Sequence, residues 1–250
     1  MARMTGSALQ DACEQGQREL IETRYLDAVH TLAAAESAAW DSGDFDTLAR
    51  LYLPLQEARR QARQRCGEGI VELAIVAAGP DEPFDAEWVV DRYPHGQLLI
   101  AGWMTTAPAE AVRAIAWDRR LYVETFLAAV YPASDDRVVI VVPEPGKTLP
   151  PAGLAKMELL DQLPFGAFTL NLEHLPKTPR PGSTRTYAEV MALWERLHRP
   201  FLTAADTETS AGRRMERYRR AIVVDPACEP AHQRLAAVAQ ELARQPVAAG

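Results

Sequence analysis

Val138-Val139-Ile140-Val141-Val142 is the stretch whose reading decides the fold class. Five consecutive β-branched residues are stiff at χ1 and suit a pleated strand better than a helix. None is polar, so neither face of the strand is made for water. That pattern belongs to the interior of a parallel sheet with helices on both faces. The expectation is an α/β fold: a small, mainly parallel sheet with covering helices.

Working outward, Ile70–Val76 reads as a strand closed by Gly79-Pro80-Asp81, and Gln97–Trp103 as a second buried strand. Residues 87–103 admit two readings. Asp85 can cap a short helix bearing Trp88, Val89 and Tyr93 that Pro94 stops. Alternatively, Trp88–Tyr93 and Gln97–Trp103 form a hairpin around Pro94-His95-Gly96. The helix is preferred because it makes the connection long enough for a parallel crossover. Thr105, Thr106 and Pro108 then signal a helix start, and Val112, Ile115, Tyr122, Phe126 and Val130 continue at helical spacing to Pro132. A turn at 133–136 leads into the opening strand. This order of strands and helices implies parallel strands with right-handed crossovers. A helix around Leu154–Leu163 and a strand at Phe168–Leu172 extend the unit.

Both flanks read as helical. Residues 1–20 have weak periodicity and are expected to dock only loosely. Leu26, Val29, Ala33 and Trp40 mark one helix and Phe45, Leu48, Tyr52 and Leu55 a second, with Gly43 supplying a positive φ between them and Asp44 a cap. This is an αα-hairpin, kinked at Pro54 and ending at Cys66-Gly67. Arg59, Arg60, Arg63 and Arg65 are expected on a solvated face. The prolines of 177–183 mark a linker. The expected organisation is a hairpin at 1–68, an α/β domain at 69–176 and a helical region at 183–250.

In that last region Tyr218, Ala221, Ile222, Asp225 and Pro226 are followed by Leu235, Ala236, Ala239 and Leu242. The segment 214–243 resembles the tetratricopeptide repeat, a helix–turn–helix unit of about 34 residues. Upstream, Trp194, Leu197 and Phe201 sit where such a repeat places its first-helix residues, although the join at 203–212 is about four residues too long for it. His232 and Ala236 stand where the family has Trp and Gly. The N-terminal hairpin shares the resemblance more loosely, with Pro54 out of pattern. The resemblance implies helical-hairpin packing and a protein partner, and no catalytic residues.

The chain has 250 residues and a net charge of −7, without a global basic field that would draw it to nucleic acid or anionic lipid. No apolar run approaches the roughly 18–20 residues of a membrane span, and the start lacks a secretory h-region. Three scattered cysteines, Cys13, Cys66 and Cys228, argue against a disulfide scaffold or a zinc cage. A reduced, cytoplasmic protein is expected.

Pro145-Gly146-Lys147-Thr148 looks like the end of a phosphate-binding loop, but that motif needs glycine where Val141 stands, and four nearby prolines remove amide donors. Among five scattered histidines, His95 has the best position for catalysis. Trp88, Trp103, Trp117 and Tyr122 are expected in the core. No catalytic residue, metal ligand or cofactor is assigned. If the sheet binds a small molecule, the loops at the strand ends hold Asp81, Glu82, Thr105, Thr106, Glu144 and Lys147. Arg213, Arg217 and Arg220 share a helix face and are the candidate partner contacts. The sequence reads as an interaction or adaptor protein with a protein partner, with self-association allowed. The alternative is a small-molecule-binding or enzymatic α/β domain.

Overall fold

The computed structural model describes residues 6–77, 79–133 and 136–245. In chain order the described elements are α1 (Gly6–Ile21), α2 (Tyr25–Ser42), α3 (Phe45–Glu68), β1 (Ile70–Val76), α4 (Ala86–Arg92), β2 (His95–Trp103), α5 (Ala107–Asp118), β3 (Tyr122–Ala133), β4 (Asp136–Val142), α6 (Lys156–Asp161), β5 (Phe168–Asn171), β6 (Arg180–Pro181), α7 (Thr184–Asp206), α8 (Ala211–Val224) and α9 (Glu229–Ala243). Within the described residues two units pack separately: 63–200, and 6–62 together with 201–245. The divisions fall inside α3 and α7, and residues 6–62 share one unit with 201–245. Linker composition marks where helices stop; it does not say which helices pack together.

The sheet unit has strand order β5-β4-β3-β2-β1-β6. β1, β2 and β3 are parallel, with α4 and α5 in the crossovers. Asp85 caps α4 by accepting the Trp88 N–H at 3.0 Å, so the helical reading of this segment holds over the hairpin. The expectation of a mainly parallel sheet does not hold. Three of the five pairings are antiparallel, and β4 is the antiparallel partner of β3. The error lies at Tyr122, Phe126 and Val130. A four-residue step keeps side chains on one face of a helix, but it does so on a strand too, because four is a multiple of two. Tyr122–Ala133 is a strand, and with Ala133 paired to Asp136 there is no room for a parallel crossover. Residues 134–135 of the expected turn lie outside the described residues.

The opening strand is nonetheless buried throughout Val138–Val142. Val138, Ile140 and Val142 pack with Leu98, Ile100, Leu127, Ala129 and Tyr131 against α4, α5 and α6. The alternate residues face α7, where Trp194 stacks on Phe126 with ring centres 4.2 Å apart. α7 reaches this face with Val190, Trp194 and Leu197, all buried. Each such fully buried side chain contributes about 1.5–3 kcal/mol.

In the helical unit, residues 6–21 form a helix and not a loosely docked end. Gly16 lies so close to α2 that a Cβ there would come within 2.5 Å of Leu32. Gly43, at φ 69°, closes the α2–α3 turn, and Asp44 accepts the Thr47 N–H at 3.0 Å, as the sequence indicates. Neither Pro54 nor Pro200 ends its helix. Glu36 of α2 accepts hydrogen bonds from Tyr52 of α3 at 3.2 Å and Arg219 of α8 at 3.1 Å, tying the N-terminal hairpin to the C-terminal helices. No helix among the described residues is long and apolar enough to cross a membrane.

Candidate functional site

The residues expected at the strand ends separate into three places. β1 ends beside a cleft of about 240 Å³ lined by Ile75, Val76, Glu82, Phe84, Asp85 and Trp88, among others. Glu82 reaches this cleft, and Asp81 is exposed next to it. Trp88 is 59% exposed and Trp117 49%, so these two tryptophans are not core residues as expected. Thr105 and Thr106 serve the start of α5. The Thr105 hydroxyl accepts the Ala107 N–H at 3.2 Å, and Thr106 donates to Glu110 at 2.5 Å. Glu144 and Lys147 follow β4 and pair with each other at 2.6 Å. Because β4 is antiparallel, its exit runs opposite to those of β1 and β2. The six residues do not converge on one site.

The expected partner surface on α8 is largely engaged within its own unit. Arg213 and Arg217 both pair with Glu208, at 3.5 and 3.3 Å, and Arg217 also donates to the Ala204 carbonyl at 2.8 Å. Arg220 packs over the Phe201 ring. His95 starts β2 and bonds its ring nitrogen to the Arg65 carbonyl, at the opposite end of the strand from the β1 cleft.

Charge also lies beneath the sheet. Arg63 is 2% exposed, so the expected solvated arginine face does not extend to it. It donates to both carboxylate oxygens of Glu124, at 2.6 and 2.9 Å, with its guanidinium 4.3 Å from the centre of the Trp194 ring. Gln97, fully buried, donates to Glu124 from the neighbouring strand at 2.5 Å. Arg113 donates twice to the Thr125 carbonyl, at 2.6 and 2.9 Å. Burial lowers the pKa of its guanidinium to about 10, against the opposing pull of Glu124 and Glu110. Burial also pushes the Cys66 thiol well above its ordinary value, with Glu124 adding to the effect. A thiol held protonated and enclosed is a poor nucleophile. This cluster is architecture.

Another cleft of the sheet unit, about 460 Å³, lies between β5 and α7. Leu170 of β5 and Leu73 of β1 both line it, although four steps separate their strands in the sheet order, so the sheet curls around α7. Leu175, Pro176 and Leu193 complete an apolar wall, and His174, Glu189 and Arg196 stand at it. Glu189 is held by Arg180 at 2.9 Å and Arg185 at 3.3 Å. Arg196 lies over the Phe168 ring at 4.0 Å and has no carboxylate partner among the described residues.

No protein-family model matches the chain, and no curated protein or solved structure is similar to it. Its function has to follow from the chemistry of its own clefts. The β5–α7 cleft escaped the sequence reading, although Glu189, Leu193 and Arg196 fall at i, i+4 and i+7 beside the buried stripe of α7. That spacing is the signal which could have found it.

Proposed function

We propose that this chain is an interaction or adaptor protein that binds a protein partner without catalysing a reaction on it. The observation that carries this reading is the β5–α7 cleft, wide and apolar, bordered by the edge strand of the sheet. An enclosed pocket suits a small molecule, whereas an open trough beside a strand edge suits a chain. The resemblance of residues 214–243 to a tetratricopeptide repeat supports the same reading, because such hairpins commonly present surfaces to proteins. The test is a selection of displayed random twelve-residue peptides on the intact chain. The reading expects enriched sequences that bind with a Kd of roughly 100 µM or tighter. A selection that returns only background contradicts it.

A second reading is small-molecule binding at the β1 cleft. The exposed Trp88, beside Phe84, Glu82 and Asp85, favours it: an aromatic face among carboxylates suits an organic cation. A panel of amines and quaternary ammonium compounds should then raise the melting temperature, and Trp88→Ala should cancel the rise. A flat response across the panel removes this reading.

A further inference from the structure

The two edges of the sheet are finished differently. On its outer side β1 is paired by β6 at Ile70 and Val71, and on its inner side its register against β2 shifts between Glu72 and Ile75. A short covering strand and a bulge are two of the devices by which sheets protect an edge from adding another strand. β5 has neither. Its four residues, Phe168-Thr169-Leu170-Asn171, pair with Val141–Val138 in unbroken register and contain no charge and no proline. Among the described residues no strand and no backbone hydrogen bond lies on the outer side of β5.

That edge borders the cleft. Thr169, Leu170 and Asn171 line it, together with Arg196, which lies over the Phe168 ring. The neighbouring carboxylate, Glu189, is committed to Arg180 and Arg185. The edge thus presents an unpaired backbone, an apolar wall and an uncompensated positive charge together.

We propose that β5 is a receptor edge for an extended segment of a partner protein, which adds to the sheet as a further strand. Its inward side chains are apolar, against Leu170, Leu175 and Leu193, and one carboxylate meets Arg196. This rests on the interaction reading above and names the partner's chemistry. Main-chain hydrogen bonds to β5 give a sequence-independent share of the affinity, while the cleft and Arg196 select among sequences. Four residues offer few main-chain bonds, so selectivity by the cleft is needed for useful affinity. A second copy of this chain is the rival occupant: antiparallel pairing of β5 with its own symmetry mate would bring two Arg196 side chains to the junction, with the exposed Glu173 two residues beyond each β5.

The probes are the twelve-residue peptides selected on the intact chain, measured against the native chain and against Arg196→Glu. Arg196 is exposed, so the reversal leaves the fold intact, which circular dichroism verifies. Selected peptides should alternate apolar residues and carry an Asp or Glu. N-methylation of alternate peptide amides should abolish binding in one of the two registers, because it removes the donors aimed at β5. Arg196→Glu should weaken the acidic peptides at least tenfold and favour versions with Lys in place of the acid. Peptides that bind equally well when N-methylated in either register, and to Arg196→Glu, overturn the β5 site while leaving the interaction reading standing. Absence of any binder overturns both. A concentration-dependent dimer that competes with the peptides overturns the heterologous partner in favour of self-pairing.

Discussion

Arg63 and Glu124 form a two-pronged ion pair, at 2.6 and 2.9 Å, with the arginine side chain 2% exposed and the carboxylate side chain 19%. The pair joins the end of α3 to β3 on the face that Trp194 covers. A buried ion pair is expensive to break by halves, because the remaining charge keeps its desolvation cost. Glu124→Ala should cost about 3–5 kcal/mol of stability. Replacing both partners by Met and Leu should cost less than either single change. Urea midpoints of the three variants measure this, and strict additivity would contradict it.

His232 makes two hydrogen bonds whose partners fix its protonation. Its Nδ1 is 2.8 Å from the Cys228 carbonyl, which can only accept, and its Nε2 is 3.1 Å from an Arg59 nitrogen, which can only donate. The ring is therefore neutral with its proton on Nδ1. Nitrogen NMR of the labelled ring should show that tautomer at pH 7. His232→Leu should cost about 2 kcal/mol or more. A cycle with Arg59→Met should return a coupling of about 1 kcal/mol.

Tyr218 gives the helical unit a signature at high pH. Its hydroxyl donates to Asp206 at 2.6 Å, and burial, followed by that hydrogen bond and the carboxylate's charge, raises its pKa to about 12. Between the unfolded value near 10 and about 12 the unfolded chain loses this proton first. The contribution of Tyr218 is therefore complete below about pH 10 and is lost as pH rises towards 12. Tyr218→Phe should flatten the fall in stability over that window. Parallel curves for the two proteins above pH 10 would contradict the assignment.

Gly96 sits where β2 passes β1, and a Cβ there would fall 2.2 Å from the Ile70 carbonyl oxygen. The atoms in the way are the backbone of Ile70, which has nothing to swing aside. Gly96→Ala should cost about 2–3 kcal/mol, seen as a lower urea midpoint with an unchanged slope.

What was legible in the sequence was local. Runs such as Val138–Val142, the cap at Asp85 and the glycine at 43 act over a few residues, and each produced the expected element. Strand direction was not local. It turned on whether Tyr122–Val130 was helix or strand, and spacing by four could not separate the two. The candidate site followed that error, because Glu144 and Lys147 join Asp81 and Thr105 only if β4 is parallel. The β5–α7 cleft depends on the curl of the sheet, which brings Leu73 and Leu170 to one wall from residues about a hundred positions apart. Arg63 looked like its neighbours Arg59 and Arg60; only tertiary packing distinguished the buried one.

The central claim is that the outer side of β5 is unpaired and receives a strand. Amide hydrogen exchange on the intact chain tests it most directly. In the free protein, β4 amides Val139–Val141 should exchange slowly, while alternate amides of Phe168–Asn171 exchange fast. With a selected peptide bound, those fast amides should become protected by at least tenfold. Uniform protection of β5 in the free chain, or exchange there unchanged by the bound peptide, would contradict the claim.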